Sequence, residues 1–134
     1  MVRFEKLTQH YVNPFSDATA YAEYINGIFG TVSSGVFTKG AGNYCVMQVE
    51  RGDKAHSDNF VVLQGEHVRV ANMAKAEGEI INITADELPS TYAVGDILSA
   101  QSTGLLAVNS ASGAKGYKIV EVTDYGCRAQ VALA

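Results

Sequence analysis

A chain of 134 residues, 47% hydrophobic and 18% charged, has the make-up of one globular domain and excludes a disordered polymer. A formal charge of −4 and a pI near 5.2, with no basic group denser than Arg3, Lys6 and His10, argue against nucleic acid as the main partner. The opening residues lack the apolar run and small-residue cleavage site of a secretory signal, and no stretch approaches the ~18 apolar residues that span a bilayer, so no membrane partner is expected.

Residues 1–15 carry Val2, Phe4, Leu7, Tyr11, Val12 and Phe15 without a clean period and end in the turn signal Asn13-Pro14. Such a segment is either a strand at the edge of the core or an arm that packs on a partner; residues 16–134 read as a single β-rich domain. Ser16 offers a helix cap, and Tyr21, Tyr24 and Ile25 fall at i, i+3 and i+4, so the spacing predicts a helix over 17–26 that stops at Asn26-Gly27. The competing reading is a hairpin in which Tyr24-Ile25 pairs with Ile28-Phe29.

Strand signals dominate the rest. Residues 35–38 lead into the turn Lys39-Gly40-Ala41-Gly42-Asn43, then a strand over 44–50 with Cys45, Met47 and Val49 on one face. A polar loop over 51–59 precedes strands at 60–64 and 67–71, broken at Gly65-Glu66, with Val68 and Val70 inward and His67 and Arg69 outward. A strand follows over 79–84, then a polar segment with one short helical turn that has Asp86 and Glu87 near its start. Residues 95–100 and 105–109 read as strands joined by a turn at 101–104, and 110–116 as a flexible connection. A final hairpin turns at Asp124-Tyr125-Gly126, with Cys127, Ala129, Val131 and Leu133 on one face. No fixed-period repeat and no linker emerge. The expected fold is mainly β, a compact β-sandwich or barrel-like domain with one or two short helices.

Candidate chemistry is sparse, and no catalytic, cofactor-binding or metal-binding residue is assigned. His10, His56 and His67 fit no metal spacing, and Asp53, His56 and Asp58 read as solvated loop residues. Arg51-Gly52-Asp53 spells an adhesion tripeptide, but ordinary turn chemistry explains it. Gly40-Ala41-Gly42 and Gly113-Ala114-Lys115-Gly116 resemble phosphate loops, yet neither leads into a helix with Lys-Ser/Thr at the needed offset, so both read as hairpin turns. Asn82-Ile83-Thr84 matches a glycosylation sequon that nothing else supports, and no Gly-x-Ser-x-Gly elbow occurs. Cys45 and Cys127 sit at apolar-facing strand positions and read as buried thiols.

The run Gly78-Glu79-Ile80-Ile81-Asn82-Ile83-Thr84, then Leu88-Pro89, Tyr92-Ala93-Val94-Gly95-Asp96-Ile97-Leu98 and Gly104-Leu105-Leu106 resembles the capsid decoration, or cement, proteins of tailed bacteriophages. This resemblance, over about half the chain, implies a structural protein without catalytic residues or cofactors. It implies residence on the outer capsid surface of the virion, a homotrimer at three-fold positions, and the major capsid protein as partner. An apolar N-terminal arm could then reach a neighbouring capsomer, which makes Val2, Arg3, Phe4, Tyr11 and Phe15 the expected capsid contacts; the same residues could instead complete the domain's own sheet. The alternative function is a ligand- or glycan-binding β-domain of a virion tail or fibre.

Overall fold

The computed structural model describes residues 1–5, 13–47 and 61–134. Strands β2 (Phe15–Ala20), β4 (Phe29–Ser33), β5 (Val36–Lys39), β6 (Tyr44–Val46) and β8 (His67–Asn72) close into a barrel in the order β2-β5-β4-β6-β8. Strands β1 (Val2–Phe4), β9 (Ile80–Thr84), β10 (Ile97–Ala100), β11 (Leu106–Val108), β12 (Gly116–Thr123) and β13 (Gly126–Ala132) form an open sheet in the order β1-β9-β13-β12-β10-β11. A short pair, β3 (Tyr24–Ile25) with β7 (Val61–Val62), stands apart. The fold is mainly β, as its composition predicts. Its helical content among the described residues is two 3-10 turns, Met73–Lys75 and Ala85–Glu87, the second where Asp86 and Glu87 predict a helical turn.

The helix expected over 17–26 does not form. Residues 15–20 are β2, antiparallel to β8 from Phe15↔Ala71 to Thr19↔His67, and Tyr24-Ile25 pairs with Val62 and Val61 instead of folding back on Ile28-Phe29. An isolated helix of that length is marginal in water. As a strand the segment buries Ala18 and Ala20 at a spacing of two and bonds along both edges, to β8 on one side and β5 on the other.

Barrel and open sheet repeat one plan. Local strands a to e, taken in chain order as β2, β4, β5, β6, β8 and as β9, β10, β11, β12, β13, lie in the spatial order a-e-d-b-c both times. Phe29 and Leu98 are each followed six residues later by a turn glycine of positive φ, Gly35 (+76°) and Gly104 (+80°), and two further on by a buried Phe37 or Leu106. Phe29 pairs with Cys45, and Leu98 with Tyr117. This repeat has no period that residue types reveal.

It also corrects the reading of the two glycine loops. Neither is a hairpin turn: each carries the chain over strand b, from c on one side to d on the other. The crossing runs so close that a Cβ on Gly42 would collide with the Gly30 carbonyl oxygen, and one on Gly116 with that of Leu98. Their glycines serve backbone packing, not an anion.

Two cores result. Ala18, Ala20, Phe37, Val46, Val68 and Val70 pack in one cluster with Tyr24, Ile28 and Val62. Phe29, Cys45 and Ala71 of the barrel pack in another with Ile81, Ile83, Leu98, Tyr117, Ile119, Cys127, Ala129 and Val131 of the open sheet. Successive residues of β6 and β8 therefore serve different cores, as a two-residue period requires. The face of the open sheet opposite this second core is left to solvent, and it carries the candidate site.

Candidate functional site

Alternation along β1 and β9 builds the site. Val2 is buried with Ile81 and Ile83 on the inner face. Met1, Arg3 and Glu5, with Asn82 and Thr84, line a groove of about 390 Å³ on the other face, closed at one end by Tyr125 of the β12–β13 turn. The register sets Arg3 opposite Asn82, Asn82 opposite Arg128, and Arg128 opposite Glu121, a polar row across four strands.

Most of this row is internally satisfied. Arg128 donates from Nε and Nη2 to the two carboxylate oxygens of Glu5 at 3.1 and 2.8 Å, a bidentate fork, and from Nη1 to Glu121 at 3.3 Å. Glu5 holds the Arg128 guanidinium above its ordinary pKa. The Tyr125 hydroxyl donates to Asn82 Oδ1 at 2.5 Å. Arg3 is exposed and makes no ion pair among the described residues. A fixed wall of amide, hydroxyl and phenol beside an unpaired guanidinium is suited to receive an acidic side chain.

Beneath the groove lies a buried ion pair. The Met1 ammonium bonds to Glu87 Oε2 and to Thr84 Oγ1, and Thr84 donates to the same Glu87 oxygen at 3.1 Å. Glu87 is fully buried, with Oε1 unpartnered and packed against Gly27 so closely that a Cβ there would collide with it. Burial pushes the Glu87 carboxyl up, while the ammonium and Thr84 pull it back down.

Of the five residues named as capsid contacts, Arg3 is the one presented to solvent among those described. Val2 is 1% exposed. Phe4 and Phe15 are half-buried against each other edge to face, with ring centroids 5.8 Å apart, and the Arg69 guanidinium lies 4.1 Å from the Phe15 ring centroid. These rings pack against the second core. Residues 1–5 therefore form an edge strand of the domain's own sheet; Tyr11 lies outside the described residues. Asn82, Thr84 and Tyr125 escaped the sequence reading. Their only signal was the alternation of Met1, Arg3 and Glu5 with Val2 and Phe4, too short to register as a period.

The other candidates fall as follows. Cys45 and Cys127 are free and buried; burial pushes Cys127 up to about 11 and Cys45 well above its usual value, so both stay protonated at neutral pH. His67 is exposed at the start of β8. Arg51-Gly52-Asp53, His10, His56 and Asp58 lie outside the described residues. No three His, Cys, Asp or Glu among the described residues are grouped to hold a metal, and no helix there is long and apolar enough to cross a membrane. No family model, curated protein or solved structure matches the chain.

Proposed function

We propose that this protein is a non-enzymatic binding protein that decorates the outside of a bacteriophage capsid and stabilises it, with the major capsid protein as partner and a homotrimer as the working form. The residues from Gly78 to Leu106 that resemble decoration proteins build most of the open sheet, including two walls of the groove. The observation that carries the proposal is the Arg3 groove: an unpaired cation on a flat, internally braced sheet face, shaped to meet an acidic surface rather than to enclose a substrate. Many copies, each with a modest contact of this kind, give large total stabilisation through multivalency.

Co-sedimentation with expanded, undecorated heads tests it. Wild-type protein should pellet with the heads and Arg3→Glu should bind about tenfold or more weakly, since it places like charge against the acidic partner. Absence of wild-type binding removes the proposal. Tyr125, 47% exposed beside Asn82, favours a second function, sugar binding by stacking on the ring as in a tail or fibre domain. Glycan binding lost in Tyr125→Ala, with no binding to heads, would decide for it.

A further inference from the structure

A protein that clamps two neighbours needs two contacts, and the Arg3 groove lies at one end of the open sheet. At the other end is β11. Five strand spacings separate β1 from β11, about 24 Å. Among the described residues no strand pairs with the far side of β11.

The barrel displays what the equivalent edge accepts. There the far side of β5 is covered by β2 running parallel to it: Thr19 N–H donates to the Gly35 carbonyl at 2.8 Å and Tyr21 N–H to the Phe37 carbonyl at 3.0 Å. Lys39 N–H is met by the Tyr24 hydroxyl at 3.4 Å. Phe37 and Lys39 correspond to Leu106 and Val108 in the repeated plan. On β11, Leu105 and Asn109 bond toward β10, through Gln101 N–H to the Leu105 carbonyl and Asn109 N–H to the Ile97 carbonyl. Alternation then turns the backbone groups of Leu106 and Val108 outward, where no described residue meets them. Leu105 and Val108, 37% and 38% exposed, add apolar side chains to this edge. The Gly104 carbonyl is already taken by Phe29 N–H at 2.9 Å, so the open stretch begins at Leu106.

We propose that β11 is a second binding site, which takes up an extended, uncharged segment of the partner polypeptide as an added parallel strand. Its occupant resembles in chemistry the Thr19-Ala20-Tyr21 stretch that covers β5: small residues, a free N–H opposite the Leu106 carbonyl, and an aromatic side chain. Main-chain bonds hold such a strand and side chains select it. That the partner is the capsid protein rests on the proposed function; the capacity of the edge does not.

Two measurements separate the two claims. First, a peptide with the sequence of residues 15–21 is titrated into the full chain to about 5 mM, enough to populate a complex of millimolar affinity. The backbone amide signals of Leu106 and Val108 should shift saturably, and a scrambled peptide should leave them unmoved. Unmoved signals with the native-order peptide overturn the inference. Second, Val108→Pro removes an outward N–H and leaves the β10 ladder intact, as edge strands tolerate. With its melting temperature within a few degrees of wild type, it should bind undecorated heads about tenfold or more weakly. Equal binding by wild type and Val108→Pro overturns the inference and leaves the decoration function standing. If wild-type protein does not bind heads at all, the decoration function falls, and the titration alone decides for or against the edge.

Discussion

In the barrel, β2 and β5 meet and every strand has a neighbour on both sides; in the open sheet the equivalent strands β9 and β11 end up at opposite ends, one covered by β1 and the other uncovered. One strand order thus yields a sealed unit and an unsealed one. An exposed edge invites association, and folded proteins cover, shorten or charge such edges unless they use them. The edge at β11 is short but uncharged, with Leu105 and Val108 half-open to solvent. The contrast locates binding in the second unit and support in the first.

The largest expected effect lies at the joint between the two. Glu87 follows β9 and packs on Gly27 of the barrel segment, so Glu87→Ala, which strands the Met1 ammonium, should cost about 3–5 kcal/mol in urea unfolding. A cost under about 1 kcal/mol would mean the ion pair does not fasten the units together. Next come the crossovers. If they are equivalent, Gly42→Ala and Gly116→Ala should destabilise alike, each by about 2–3 kcal/mol, because each Cβ strikes a carbonyl of strand b. A large cost at one and none at the other would break the equivalence.

Two smaller effects sharpen the picture. Because burial raises the Glu87 carboxyl above its ordinary 4.5, the folded state holds that proton more tightly than the unfolded state. The stability this contributes is complete below the ordinary carboxylate range and is lost as pH rises through the raised value. Urea unfolding should therefore show the advantage of wild type over Glu87→Gln to be greatest near pH 4 and smaller at pH 7. Smallest of all, Tyr117 keeps a buried hydroxyl without a partner, so Tyr117→Phe should be neutral or stabilising by up to about 1 kcal/mol in thermal unfolding.

The β class and the buried alternations of β8 and β13 were legible, because Val68, Val70, Cys127, Ala129 and Val131 obey a period of two and lie buried. Residues 17–26 misled because Tyr21, Tyr24 and Ile25 mimic a helical face, while β2 draws its stability from β5 and β8, neither adjacent in sequence. The repeat stayed hidden because it lives in strand order and in matched spacings such as Phe29–Gly35 and Leu98–Gly104, not in residue identity. Of the site, Arg3 was legible as a cation near the start. Its neighbours were not, since Asn82 and Tyr125 reach the groove only through pairing that joins the two ends of the chain.

Amide hydrogen exchange on the free protein tests the sealed-versus-open contrast most directly. Lys39 and Val108 occupy matching outward positions, the first bonded to Tyr24 and the second unmet. Val108 should exchange about a hundredfold or more faster than Lys39. Equal protection at the two amides would mean that the edge is already covered, and would contradict the account.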